Sequence, residues 1–149
     1  MSQATAAVKK DSQAEHHEEL SFLYKYILPV DHKIIGMQYI FTGMIMAIIG
    51  GYFSYAFRMQ LAFPGEVVPL YGLVGPGEYN MLVTNHGTIM IFWVAMPVLI
   101  AGFGNYLIPL MIGCDDMVFP RLNRLSYQIF LVSALVLIAS FFVTGGGFF

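Results

Sequence analysis

One residue of this 149-residue chain stands apart by its setting. His86 lies in VTNHGTIMIFWVAMPVLI, Val83 to Ile100, one of the most apolar runs in the sequence. It is the only residue of that run able to change charge in the neutral range. An imidazole placed there does one of two things. It hydrogen-bonds as a neutral group between packed helices, or it gives a ring nitrogen to haem iron or another metal. Ionisable groups in membrane-type runs are rare and point to function by default, but spacing alone leaves both readings open.

A second polar feature closes the same segment. Asp115 and Asp116 follow its last apolar turn, about 30 residues from His86, or roughly 40–45 Å of helix. They are either a solvated loop or a proton collector at the mouth of a polar pathway. Asn105 and Asn123 flank this loop, Ser126 opens the next apolar run, and Tyr39 lies near the start of the first. Their amide and hydroxyl groups can hold a hydrogen-bonded water chain, and each is equally suited to capping or interfacial anchoring. Arg58 ends the first apolar run at the level of His86. It either anchors the helix end by snorkelling or donates a hydrogen bond to a polar substituent of a cofactor.

The elements that carry these residues follow from the charge pattern. Apolar residues make up 58% and charged residues 11% of the chain, against about 45–50% and about 25% in soluble proteins, and mean hydropathy is +0.70. Ile34–Phe57, Tyr79–Cys114 and Leu125–Phe149 carry no Asp, Glu, Lys or Arg. Each exceeds the roughly 20 residues of a helical crossing. The expected fold is therefore an all-α membrane protein with three transmembrane helices, over about 34–58, 80–110 and 125–145, behind a polar tail over 1–30. Pro97, Gly102, Gly104 and Pro109 predict a kink or tilt in the second helix.

Of seven Lys and Arg residues, Lys9, Lys10, Lys25, Lys33, Arg121 and Arg124 lie in the tail or the second loop, and only Arg58 borders the first loop. Six against one places the N-terminus and the second loop in the cytoplasm. A net charge of −2 with no basic patch argues against a nucleic-acid partner. The tail is unlike a secretory leader. Cys114 is the single cysteine and forms no internal disulfide. The closing TGGGFF reads as the start of a loop, so the chain is expected to be part of a larger protein.

A low-spin haem needs two axial ligands. His32 sits at the cytoplasmic mouth, and His16 and His17 lie in the tail, so none meets His86 across the membrane. By residues alone, a non-catalytic three-helix membrane anchor holding a b-type haem between subunits fits well.

Longer strings add to that reading. DHKIIGMQYIFTG, FRMQLAFPG and YNMLVTNHGTIMIFWVAMPVLIAGFGNYLIPLMIGCDDMVFPRLNRLS, with the terminal glycine run, resemble subunit I of the haem–copper oxidases. GFGN resembles the cytochrome c branch rather than the quinol branch. The resemblance covers nearly everything from Asp31 to Gly147. It implies the first quarter of a twelve-helix bundle. It implies that His86 is an axial ligand of the low-spin haem (haem a), that Arg58 hydrogen-bonds the formyl group of that haem, and that Asp116 is the entrance of a proton channel lined by Asn105, Asn123, Ser126 and Tyr39. It further implies a high-spin haem and copper, both ligated by later segments along with the second ligand of the low-spin haem. The implied partners are the remainder of subunit I, subunits II and III, cytochrome c as electron donor, and the lipid bilayer. The implied reaction is reduction of O2 to water coupled to proton translocation. Two positions depart from the family pattern. Arg124 replaces a second asparagine near the channel mouth, and Gln60 replaces a metal-binding glutamate. The polar tail favours a bacterial protein, hence a bacterial inner membrane.

Overall fold

The computed structural model describes residues 29–115 and 117–143, so the tail expected over 1–30 lies outside the described residues except for its last two. Three helices dominate: α1 His32–Ala62, α2 Pro76–Ile112 and α3 Pro120–Ser140, each long and apolar enough to cross a membrane. Among the described residues the only extended pairing is an isolated bridge, Val68 to Gly72, in the first loop.

Each helix end has a local cause. Asp31 caps α1, its carboxylate accepting the Lys33 amide N–H at 2.8 Å, which satisfies a donor that helix geometry leaves orphaned. α1 ends where Pro64 and Gly65, the latter at φ 87°, turn the chain. Its 31 residues span about 46 Å, more than the roughly 30 Å hydrocarbon layer. α2 starts at Pro76, preset for a first helical position, with the Glu78 carboxylate accepting the Gly75 amide N–H at 2.7 Å. It stops at Gly113, in the left-handed region at φ 71°, with the Cys114 amide bonded back to the Pro109 carbonyl at 3.0 Å.

α3 corrects one boundary. It begins at Pro120 and ends at Ser140, about five residues ahead of the run expected over 125–145. Pro120 supplies the starting φ, and Arg121 and Arg124 join the first turns rather than the loop, because long cationic side chains reach the interface from inside a helix. α2 likewise starts earlier than position 80, which places His86 about 15 Å from the helix start rather than about 10 Å.

α1 and α2 meet along a glycine seam. A Cβ at Gly36 would lie 2.9 Å from the Gly102 carbonyl oxygen, one at Gly43 would collide with Val98, and one at Gly50 would lie 3.0 Å from both Ile89 Cγ2 and Met90 Sδ. Three glycines at seven-residue spacing let the backbones approach closely, the usual basis of helix association in lipid.

The register of α2 against this seam depends on a local change of helix type. Backbone bonds run i→i+5 over Met90–Ala95 and Pro97–Gly102. Pro97 brings no N–H, and its ring crowds the Trp93 carbonyl, which opens the ladder. In an unbroken α-helix the sixteen steps from His86 to Gly102 advance about 1600°, roughly 160° beyond whole turns. The two residues would then face opposite ways. If each π stretch absorbs one extra residue, the advance falls to about 1400°, within roughly 40° of whole turns. Both residues do face α1.

α3 packs on α1 through two clusters. Met46, Phe53, Ala134 and Phe141 form one, with the Phe53 and Phe141 rings edge to face at 5.2 Å. Ile35, Tyr39 and Tyr127 form the other. The outward surfaces stay apolar, as at Phe41, Ile48 and Met111, which suits lipid or further helices.

Candidate functional site

The polar residues fall into two groups, one near the start of α1 and one farther along it. The second group centres on His86. Its Nδ1 donates to the Gly50 carbonyl oxygen on α1 at 2.8 Å. The oxygen can only accept, so Nδ1 carries the proton, and in the neutral ring Nε2 keeps its lone pair. Nε2 makes no hydrogen bond among the described residues. The imidazole also packs edge to face on Phe57, 5.7 Å between centroids, and Phe57 in turn meets Tyr79 at 6.1 Å. A half-buried ring held on one side by a backbone carbonyl and an aromatic wall, with its second nitrogen unspent, has the chemistry of a metal ligand.

Gly50 is a residue that the charge and motif reading missed. The signal lay in the spacing of Gly36, Gly43 and Gly50. Contact with α2 is close at Gly50 because no side chain intervenes, and a carbonyl oxygen has a second lone pair for an additional donor.

Arg58 is exposed, eight residues beyond Gly50 on α1, roughly 12 Å along the axis. It makes no hydrogen bond or ion pair among the described residues. Gln60 lies further toward the same end, lining a cavity of about 280 Å³ with Tyr79 and Asn80, and its amide oxygen is buried with no hydrogen-bond partner among the described residues. No three His, Cys, Asp or Glu side chains come together as a metal cage among the described residues, so His86 offers a single ligand.

The group near the start of α1 joins that helix to α3. Tyr39 Oη and Ser126 Oγ lie 3.0 Å apart, and the Ser126 hydroxyl donates to the Asn123 carbonyl at 2.7 Å. The Asn123 amide nitrogen donates to Met117 Sδ at 3.2 Å, and Asn123 borders a cavity of about 440 Å³ at the second loop, shared with Pro109, Cys114 and Met117. Tyr39, Ser126 and Asn123 are thus brought together. Asn105 is not: it is buried on α2 and makes no hydrogen bond to them among the described residues. Asp116 lies outside the described residues, and its neighbour Asp115 is exposed. A second rung, unforeseen from sequence, sits one turn deeper: Thr42 Oγ1 and Tyr127 Oη are 2.9 Å apart and buried.

Comparison with known proteins gives the family. Residues 34–149 match the family model described as Cytochrome C and Quinol oxidase polypeptide I. The chain is similar to cytochrome c oxidase subunit 1 of Thermostichus vulcanus, 43% identical over 90% of this chain and 23% of that protein. It is similar to the alternative cytochrome c oxidase subunit 1 of Bradyrhizobium diazoefficiens, 39% identical over 89% of this chain and 22% of the relative. It is 44% identical to a heme-copper oxidase subunit I+III of Aeropyrum pernix over 85% of this chain and 15% of that one. The chain therefore spans less than a quarter of the length of these relatives.

Proposed function

Because the chain belongs to the cytochrome c and quinol oxidase polypeptide I family, we propose that it forms the N-terminal part of the catalytic subunit of a respiratory terminal oxidase, a cytochrome-c oxidase. It is a multi-pass membrane protein, and we place it in a bacterial inner membrane with the N-terminus and second loop in the cytoplasm, on the six-to-one distribution of Lys and Arg. Its partners in this reading are the remainder of subunit I, subunits II and III, cytochrome c as donor, and lipid.

His86 would hold the iron of a low-spin haem through Nε2, and Arg58 would donate to a formyl group on it, the substituent that marks haem a. When bound, that haem supplies the electron relay between cytochrome c and a haem–copper centre, ligated elsewhere, at which O2 is reduced to water. The remaining work belongs to the chain. The Gly50 carbonyl fixes the ring plane and tautomer of His86 and raises its donor strength. Phe57 and Tyr79 keep that side of the ring dry. At the cytoplasmic end Asp116 collects protons, and Asn123, Ser126, Tyr39 and Asn105 line the path inward from it.

The observation that carries the ligand role is the Nδ1 bond to Gly50, which leaves Nε2 as a lone-pair donor. The test is His86→Ala in the complete oxidase. The low-spin haem spectrum should vanish while the assembled subunit remains detectable; an unchanged spectrum rejects the assignment.

A further inference from the structure

The polar seam between α1 and α3 has two rungs, and only the lower one belongs to the proton path proposed above. Ser126 has one hydroxyl proton, which goes to the Asn123 carbonyl. Tyr39 must therefore be the donor in its contact with Ser126. Where the Tyr39 hydroxyl lies depends on how its ring is held. The edge of one ring meets the face of the other between Tyr39 and Tyr127, at 5.1 Å and 80°, and Phe130 lies against Tyr39 at 5.2 Å. Tyr127 is itself pinned by Thr42 at 2.9 Å. Tyr127 and Thr42 are 7% and 8% exposed, so both side chains are largely withdrawn from solvent, although Tyr127 borders a cavity of about 700 Å³.

We propose that Thr42 and Tyr127 are positioning residues for proton uptake, their hydroxyl pair holding the Tyr39 ring where its own hydroxyl reaches Ser126. The contact chain runs Thr42, Tyr127, Tyr39, Ser126 and alternates between α1 and α3. Helix association does not require the pair. Valine and phenylalanine would fill the same space, and replacing both members of a buried hydrogen bond by apolar groups is close to neutral. What the hydroxyls add is a fixed orientation, since an edge-to-face contact alone tolerates ring rotation and sliding. This inference rests on the reading of Tyr39 and Ser126 as part of the proton path.

The experiment uses the complete oxidase and the rate of proton uptake during turnover, with the low-spin haem spectrum as the check on assembly. Thr42→Val and Tyr127→Phe should each slow uptake on the order of threefold to tenfold, the population change that one buried hydrogen bond commands. Thr42→Ser should restore the original rate. In a Tyr39→Phe background, Thr42→Val should add nothing further, because its effect passes through Tyr39. Normal uptake in both Thr42→Val and Tyr127→Phe overturns the proposal while a slow Tyr39→Phe keeps the path. An undiminished Thr42→Val effect in the Tyr39→Phe background also overturns it, by assigning the pair an independent relay role. Normal uptake in Tyr39→Phe removes Tyr39 from the path and this inference with it.

Discussion

Gly50 and Gly51 are neighbours of the same type on one helix, and the structure assigns them opposite sensitivities to a methyl group. A Cβ at Gly51 meets nothing within 4 Å. A Cβ at Gly50 would stand 3.0 Å from Ile89 Cγ2 and Met90 Sδ. Met90 can swing its thioether aside, but Ile89 is β-branched and stiff in a helix. α1 must then move off α2 by a few tenths of an ångström, carrying the Gly50 carbonyl away from His86 Nδ1. Overpacking of this kind costs about 1–3 kcal/mol. Loss of the hydrogen bond adds about 0.5–1.5 kcal/mol; the bond exists in both oxidation states and only its difference between them moves the potential, so the shift is bounded at roughly 20–65 mV for a one-electron couple. The sign follows from donor strength. A bonded imidazole is the stronger donor and favours ferric iron, so weakening the bond raises the midpoint potential. Potentiometric titration of the low-spin haem in Gly50→Ala and Gly51→Ala oxidases should show an upward shift within this bound, with a broadened band, in the first alone. Equal potentials and band widths in the two variants would refute the reasoning.

Three further outcomes are expected. Gly43→Leu should block assembly of α1 with α2, since even its Cβ collides with Val98 and the Trp93 carbonyl lies behind at 3.5 Å; this shows as loss of the subunit from detergent extracts, and a normal yield contradicts the seam. Asp116→Asn should slow proton uptake and turnover with haem content intact, and normal pumping at a normal rate rejects the mouth assignment. In the first loop, burial pushes the Tyr71 phenol above its ordinary 10.0, with Glu78 and Tyr52 adding to the effect. A raised folded pKa means that its contribution is present below the unfolded value and lost as pH rises past the folded one, so tyrosinate absorbance should show a late-titrating group that Tyr71→Phe removes, and a titration unaltered by that substitution counts against it.

How much of this was legible beforehand differs by residue. Three charge-free runs suffice for three helices, because a bilayer accepts only long apolar segments with internally satisfied backbones. His86 was conspicuous because an ionisable group is costly there. The starts of α2 and α3 were less legible, since Pro76 and Pro120 begin helices in stretches whose composition resembles loops. Tyr39 and Ser126 could be named as polar, but 87 residues separate them, and nothing local indicates that their hydroxyls meet.

The sequence alone determined the class of the protein, its crossings and the identity of its chemically able residues, because those depend on composition and local spacing. Only the tertiary structure decided how His86 is held and which hydroxyls pair. α-Helical periodicity would turn Gly102 away from the face that carries His86, and the i→i+5 stretches about Pro97 bring it back. Pro97 opens the ladder locally, and the close approach of the α1 glycines is what the resulting register packs against, a property of two surfaces together. The same contact places the Gly50 carbonyl on Nδ1 and so leaves Nε2 of His86 free to bind.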